Sequence, residues 1–150
     1  SGALSMTMLR AGADITGYEL REDFAARARA NVTTMLGESA LERYDIQIRD
    51  AYEGIDGDDF DRVVLDLPEP WQVVPHAAGA LHLGGLILAY TPSITQVIRF
   101  RGALDAHGFR FAETVEGLNR TWHVEGQAVR PDHRMVAHTA FLTHARLLER

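Results

Sequence analysis

The segment Val63–Trp71 constrains the fold of this chain more than any other. Its three apolar residues, Val-Val-Leu, end on Asp66, and Leu-Pro-Glu-Pro-Trp follows at once. A short apolar run of this kind predicts a buried strand of a parallel sheet, and the two prolines end that strand and stiffen the turn. Asp66 is therefore predicted at the carboxyl end of a strand, where open α/β sheets bind their ligands. A carboxylate there has to be solvated, paired with a cation or a hydrogen-bond donor, or engaged in binding or catalysis.

The rest of the chain alternates short apolar segments with segments of helical periodicity. Strands are predicted over residues 14–18, 44–48, 60–65, 84–90, 109–115 and 138–147, and helices over 3–10, 21–36, 72–81 and 94–107. This alternation is typical of βαβ units, so the predicted fold class is α/β with a mostly parallel sheet in one domain. No helix separates the last two strands, which predicts an antiparallel pair at one edge. Residues 116–137 show a less regular pattern.

Composition limits the classes of site and partner. The chain has 150 residues, no cysteine and a net charge of −6. The missing cysteines exclude disulfides and thiolate metal sites and fit a cytoplasmic protein, and no apolar run approaches the ~20 residues of a membrane span. The histidines show no metal-ligand spacing, so we expect no metal. All 15 basic residues are arginine, for which a GC-rich coding bias is the simpler explanation, although arginine also binds phosphate.

Two further carboxylates follow predicted strands. Glu19 ends the first strand and could accept hydrogen bonds from both hydroxyls of a ribose. The alternative is an exposed carboxylate that interacts favourably with the dipole of the next helix. Asp50 follows the second strand, where a turn-forming aspartate is common. Together with Asp66, these positions predict a nucleotide-binding edge.

Asp-Leu-Pro-Glu-Pro-Trp at residues 66–71 resembles the catalytic motif of the tRNA (adenine-N1)-methyltransferases, and most closely that of the bacterial homotetrameric type. Residues 122–131 and 135–142 also resemble this family, in the right order. The start of the chain, Ser1 to Leu4, resembles the end of the family's glycine-rich cofactor motif. The resemblance implies a Rossmann-like class I methyltransferase fold. It also implies a catalytic-domain fragment without its first strand, its leading glycines and a small N-terminal β domain. The alternative is a short protein with a different strand order.

The resemblance further implies S-adenosyl-L-methionine as cofactor and adenine-58 in the T-loop of tRNA as methyl acceptor. The residues expected to bind the cofactor are Ser1, Gly2, Ala3, Leu4, Glu19, Asp50, Ala51 and Asp66. Asp50 is expected to accept a hydrogen bond from the exocyclic amine of the cofactor's adenine, with Ala51 packed nearby. Those expected to meet the substrate are Pro68, Trp71, Arg120 and Arg130. A homotetramer in the cytoplasm, without membrane or metal, is also implied. A fragment lacking the glycine loop is expected to bind the cofactor poorly on its own.

Asp66 is the expected catalytic residue, because methylation at N1 leaves adenine positively charged. A carboxylate accepting from the N6 amine would both orient the ring and stabilise that charge. The alternatives are a helix N-cap for Asp66, core packing for Trp71, and surface or interface ion pairs for Arg120 and Arg130. At the level of function, the alternatives are another class I methyltransferase acting on a small molecule or protein, and a catalytically silent subunit that presents tRNA. Retention of the aspartate motif argues against the silent subunit.

Overall fold

The structure is a computed structural model that describes residues 1–135 and 137–149. Its residues group into two units, Ser1–Gly54 and Ile55–Arg150, each with its own sheet. Both units are built from strands and helices in alternation, so the predicted α/β class is confirmed.

The first unit packs two helices on a two-stranded parallel sheet. Its elements are α1 (Ala3–Arg10), β1 (Ile15–Glu19), α2 (Glu22–Leu36), a 3₁₀ helix (Glu38–Arg43) and β2 (Tyr44–Ile48). The strands pair in register from Ile15 with Tyr44 to Glu19 with Ile48, so both end at the same edge. Helix α2 buries Ala25, Ala28 and Val32, which recur at helical spacing and form the core with Leu9 and Ile46.

The second unit contains a four-stranded sheet and a separate hairpin. Its elements are β3 (Phe60–Leu65), a 3₁₀ turn (Pro70–Gln72), α3 (Val74–Ala80), β4 (Leu81–Thr91), α4 (Ile94–Ala106), β5 (Phe109–Glu116), β6 (Trp122–Glu125), β7 (Ala128–Pro131) and β8 (Phe141–Leu147). The sheet order is β3-β4-β8-β5, with β3 parallel to β4 and β8 antiparallel to both β4 and β5. The predicted antiparallel edge pair is therefore β8 with β5, and β8 lies inside the sheet. The carboxyl ends of β3, β4 and β5 share one edge.

The core of the second unit is formed by buried side chains of α4 and of the strands β4, β5 and β8. Phe100 and Leu104 of α4 are fully buried, as are Ile87 of β4, Phe109 of β5 and Leu147 of β8. Apolar burial on this scale stabilises the unit, since each such side chain contributes about 1.5–3 kcal/mol when fully buried.

Several predicted boundaries were wrong. Strand β4 begins at Leu81 rather than at residue 84, because Leu81 is buried and pairs with Phe60. The third helix begins at Val74, after a 3₁₀ turn that starts at Pro70. The last strand begins at Phe141 rather than at residue 138. The 3₁₀ helix at 38–43 was not predicted.

The segment predicted as irregular contains the β6–β7 hairpin, which pairs Trp122 with Pro131 and Val124 with Val129. The hairpin was not predicted because its strands are only four residues long and Trp122, Val124 and Val129 are exposed, so no alternation of buried and exposed residues marks them. Val136, in the same segment, lies outside the described residues. No helix within residues 1–135 and 137–149 has the length and hydropathy that crossing a bilayer requires.

Candidate active site

Asp66 lies where β3 ends. Leu65 is buried and pairs with Ala89 of β4, and the chain leaves the sheet at Asp66, whose side chain is exposed. The turn that follows is held from α4, because the side-chain amide Nε2 of Gln96 donates to the Pro68 carbonyl over 2.9 Å. Pro68 is exposed, while Pro70 is buried and begins the 3₁₀ turn. The sequence thus fixes a carboxylate on a braced, solvent-accessible turn.

The helix-cap alternative for Asp66 is wrong. The N-cap residues of the two helical segments that follow are Glu69 and Val73, and neither segment receives a side-chain cap. Asp66 precedes both. Its carboxylate is left exposed at the carboxyl edge of the sheet, where a ligand could use it.

Trp71 is half-buried rather than enclosed in the core. The guanidinium carbon of Arg99 lies 5.2 Å from the centroid of its ring, in cation–π geometry. Arg99 was not predicted from the sequence, because its position on α4 beside the 3₁₀ turn depends on how these elements pack. The indole and the guanidinium together offer a flat surface and a positive charge next to the Asp66 turn.

Within the described part of the chain, two buried polar atoms at the carboxyl edge have no hydrogen-bond partner. They are Oγ1 of Thr91, at the end of β4, and Oε1 of Gln96, in the first turn of α4. Thr91 is fully buried. Buried polar atoms are nearly always hydrogen-bonded, so unpaired atoms at a ligand-binding edge indicate positions that a ligand or water satisfies. No periodic pattern in the sequence marks either residue.

His138 joins three segments at this edge. Its Nδ1 lies 2.6 Å from Oε1 of Glu116, which ends β5, and its Nε2 lies 2.7 Å from the carbonyl oxygen of Pro92, which follows β4. The ring also packs against Phe141, with centroids 4.9 Å apart. The hydrogen bond to Glu116, and then that to Pro92, raises the pKa of His138. The sequence places His138 only at the start of the last predicted strand, and it carries no signal for contacts with Glu116 and Pro92, which lie 22 and 46 residues away.

In the first unit, Glu19 and Asp50 lie at the same edge of the parallel pair. Glu19 ends β1, and its carbonyl accepts from the Arg49 amide over 3.1 Å, which brings the segment after β2 alongside. Oε1 of Glu19 accepts from the amide of Arg21 over 3.1 Å. Oδ1 of Asp50 accepts from the amide of Tyr52 over 2.8 Å, so the turn-forming role is present. A carboxylate has two oxygens and about four lone-pair sites, so one accepted bond leaves capacity for a ligand hydroxyl or amine.

The start of α1 is closely packed and lacks a side-chain cap. Gly2 has φ of 81°, and a Cβ there would lie 3.2 Å from the Cβ of Ala28 on α2. Only glycine combines this conformation with so close an approach. Ser1 is tied to α2 through its carbonyl, which accepts from Nδ2 of Asn31 over 2.9 Å. Residues Ser1 to Leu4 thus present the first amides of α1 without a competing side chain.

These features of the first unit fit the nucleoside part of S-adenosyl-L-methionine. The carboxylates Glu19 and Asp50 are acceptors suited to ribose hydroxyls and an adenine amine, and Ala51, which follows Asp50, is half-buried. Asp66 belongs to the second unit. The hypothesis that all three carboxylates share one hollow therefore stays a prediction.

Arg120 lies beside the β6–β7 hairpin, and Arg130 lies on it. Arg130 of β7 pairs across to His123 of β6, and Arg120 lies just before β6. Both arginines are exposed. Their charge is accessible, as contact with a phosphate requires. Among residues 1–135 and 137–149, no group of three or more histidine, aspartate or glutamate side chains could hold a metal ion.

Comparison with known proteins gives relatives along nearly the whole chain. The sequence is 35% identical over 174 residues to the tRNA (adenine(57)-N(1)/adenine(58)-N(1))-methyltransferase TrmI of Methanocaldococcus jannaschii, covering 98% of this chain and 61% of the relative. It is 34% identical to the tRNA (adenine(58)-N(1))-methyltransferase TrmI of Thermus thermophilus, covering 97% of this chain and 58% of the relative. The chain therefore spans about 60% of the length of these curated relatives.

Solved structures give the same fold. A SAM-dependent O-methyltransferase from Thermotoga maritima superposes with a TM-score of 0.80 at 35% identity, covering 91% of this chain and 51% of that one. The tRNA (m1A58) methyltransferase TrmI of Aquifex aeolicus superposes with a TM-score of 0.74 at 24% identity, covering 91% and 54%. The fold is that of the class I methyltransferases.

The sequence model of one family, described as the tRNA methyltransferase complex GCD14 subunit, matches residues 1–133. Because that match covers most of the chain, including β3 and Asp66 directly after it, this chain belongs to the GCD14 family of tRNA methyltransferase subunits.

Proposed function

We propose that the protein containing this chain is an enzyme that transfers a methyl group from S-adenosyl-L-methionine to N1 of adenine-58 in the T-loop of tRNA. The observation that carries the proposal is the exposed Asp66 carboxylate on a braced turn at the carboxyl end of β3. Membership of the GCD14 family, and relatives named for this reaction, support the choice of acceptor. We further propose a homotetramer in the cytoplasm, with the two units forming one catalytic domain.

Asp66 is proposed to act on the adenine. N1 is a neutral, weak nucleophile, and the ring becomes cationic on methylation. A carboxylate that accepts from the N6 amine holds the ring in one orientation and stabilises the developing charge. An exposed carboxylate suits this role better than a paired one, because its acceptor oxygens remain accessible to the base.

The cofactor is proposed to be held largely by the first unit. S-adenosyl-L-methionine, when bound, supplies the methyl group as a sulfonium. Glu19 accepts from the ribose hydroxyls, Asp50 with Ala51 receives the adenine, and the start of α1 at Ser1 to Leu4 packs beside the cofactor.

The tRNA is proposed to meet the second unit. The target adenine has to leave its stack, at a cost of a few kcal/mol, and Trp71 and Pro68 would border the displaced base. Arg120 and Arg130 would contact phosphates and position the RNA. A net charge of −6 makes a local arginine contact a better fit than a wholly basic surface.

The test replaces Asp66 by alanine in the full-length protein and measures methyl transfer to tRNA together with binding of S-adenosylhomocysteine. We expect kcat to fall by about 10²–10³-fold, the effect typical of removing one electrostatic contact to the transition state, while cofactor binding changes little. Asp61→Ala is the matched control, because Asp61 lies near the opposite end of β3 and its side chain is 83% exposed. Equal loss of binding and turnover in Asp66→Ala would contradict the role of Asp66.

A panel of acceptors separates this proposal from its rival. A methyltransferase for a small molecule or protein would modify a member of a metabolite or protein panel and leave tRNA unmodified. Methylation that maps to adenine-58 in tRNA supports the proposal, and turnover of another acceptor in its place overturns it.

A further inference from the structure

His138 contacts two acceptors at once. The carbonyl of Pro92 can only accept a hydrogen bond, and so can an ionised Glu116 carboxylate. Both ring nitrogens must therefore donate, which requires the doubly protonated imidazolium. A neutral ring could donate to one of these partners and would face the other with a lone pair.

The surroundings of the ring favour that charged form. Among the described residues, Glu116 of β5 is the charged group in contact with the ring, while the contacts from the turn after β4 and from β8 are the neutral Pro92 carbonyl and the Phe141 ring. The hydrogen bond to Glu116, that to Pro92 and the negative charge of Glu116 all raise the pKa of His138.

A continuous set of contacts leads from this ring to the Asp66 turn. Pro92 is followed by Ser93, the N-cap of α4, whose Oγ accepts from the Thr95 amide over 3.3 Å. Gln96, in the same helical turn, donates to the Pro68 carbonyl over 2.9 Å. Each step joins residues of the second unit only.

We propose that protonated His138 is a positioning residue that fixes the Pro92–Gln96 turn and, through Gln96, the turn that carries Asp66. This inference rests on the proposed function, because what is positioned is the proposed catalytic carboxylate. Loss of the proton breaks one of the two hydrogen bonds and frees the turn. Methyl transfer therefore falls at alkaline pH for a reason separate from any titration of the adenine.

The test is the dependence of kcat on pH for the wild-type protein, His138→Gln and Glu116→Gln. The wild type should lose activity as the pH rises through the raised pKa of His138. His138→Gln should lower kcat by about tenfold or more, as expected for a misplaced catalytic group, with little change in cofactor binding and without the alkaline loss. Glu116→Gln should move that loss to lower pH, because removing the carboxylate lowers the pKa of His138.

The control is His82→Gln. His82 also faces a carboxylate and a backbone carbonyl, since its Nε2 lies 3.3 Å from Asp61 and its Nδ1 lies 2.7 Å from the Leu83 carbonyl, but it lies near the opposite end of β4. It should keep the wild-type profile. Gln96→Met should reproduce the reduced kcat of His138→Gln. An alkaline loss that persists unchanged in His138→Gln, or an equal effect of His82→Gln, overturns the inference.

Nuclear magnetic resonance of the histidine rings separates this inference from the proposed function. In the wild type, both nitrogens of His138 should be protonated at neutral pH, and Glu116→Gln should lower the pH at which one proton is lost. If the wild type does not methylate tRNA, the proposed function fails, while this measurement still tests the protonated bridge. A neutral His138 ring at pH 7 would overturn the bridge itself.

Discussion

His82 and His138 lie at opposite ends of the four-stranded sheet and are held by the same kinds of group. Each bridges a carboxylate and a backbone carbonyl, His82 to Asp61 and Leu83 and His138 to Glu116 and Pro92. Their surroundings differ. At the amino edge, Arg146 and Arg110 link the ends of the strands, whereas among the described residues the carboxyl edge has two unpaired buried polar atoms and the exposed Asp66.

Contacts at the amino edge link the ends of the strands to one another. Gly108 precedes β5 with φ of 78°, and a Cβ there would collide with the carbonyl of Glu149. Arg146 donates to the Gly84 carbonyl, and Arg110 pairs with Glu149 over 2.7 Å. We therefore expect the contacts of the amino edge to stabilise the fold, and the polar groups of the carboxyl edge to be available to a ligand. The following variants test that contrast.

The largest expected effect on stability is in β5, which runs from one edge to the other. Phe109, at the amino end, is fully buried, while Val115, near the carboxyl end, is 43% exposed. Phe109→Ala should lower the free energy of unfolding by about 3–5 kcal/mol through the cavity it leaves. Val115→Ala should change it by less than about 0.5 kcal/mol. Denaturant unfolding measures both, and comparable losses would show that stability is not concentrated at the amino edge.

A smaller difference in the free energy of unfolding is expected between substitutions at two fully buried threonines. The Oγ1 of Thr143 lies 2.9 Å from that of Thr114, whereas the Oγ1 of Thr91 has no partner in the described structure. Thr143→Val should cost about 1 kcal/mol by breaking a hydrogen bond. Thr91→Val should leave stability unchanged or raise it by about 1 kcal/mol, because it removes an unsatisfied hydroxyl. Thermal unfolding distinguishes them, and equal destabilisation would show that Thr91 is paired in solution.

The smallest effect is the pH dependence of stability. The pKa of His82 is raised, first by its hydrogen bond to the Leu83 carbonyl and then by Asp61, and that of His138 by Glu116 and Pro92. A raised pKa in the folded state stabilises it fully below the ordinary value of 6.5, and this contribution is lost as the pH rises through the raised pKa.

Thermal unfolding of His82→Gln and His138→Gln between pH 6 and pH 9 tests this. Each variant should show a weaker fall of stability with pH than the wild type. Both rings are accessible to solvent, so the effects are small and salt-sensitive. A variant with the full wild-type slope would show that its histidine is not the group that titrates.

Local signals were sufficient for most of the elements. Helix α1 and strands β2 and β3 were predicted with the observed bounds, because their apolar periodicity ends at glycine, polar or proline residues. The hairpin was missed, since exposed apolar residues on four-residue strands carry no inside–outside pattern. The start of β4 was missed because Gly84 and Gly85 resemble a boundary, whereas the burial of Leu81 places it three residues earlier.

The residues of the candidate site also fall into those that local sequence patterns predict and those that only the tertiary structure reveals. Asp66, Glu19 and Asp50 could be proposed from the sequence because each lies at or just after the end of a recognisable strand. Gln96, Arg99, Glu116 and His138 could not be found, because their roles come from contacts between segments up to 46 residues apart, such as that of His138 with Pro92. No single-residue pattern encodes such a contact.

By itself the sequence determined the strand that precedes Asp66, the α/β class and the resemblance to a methyltransferase family, since these depend on neighbouring residues in fixed order. Only the tertiary structure decided that β8 enters between β4 and β5 and so brings His138 against Glu116 and Pro92. It also decided that Gln96 braces the Asp66 turn. The physical reason is that strand order and hydrogen-bond partners across a sheet are set by the packing of distant segments.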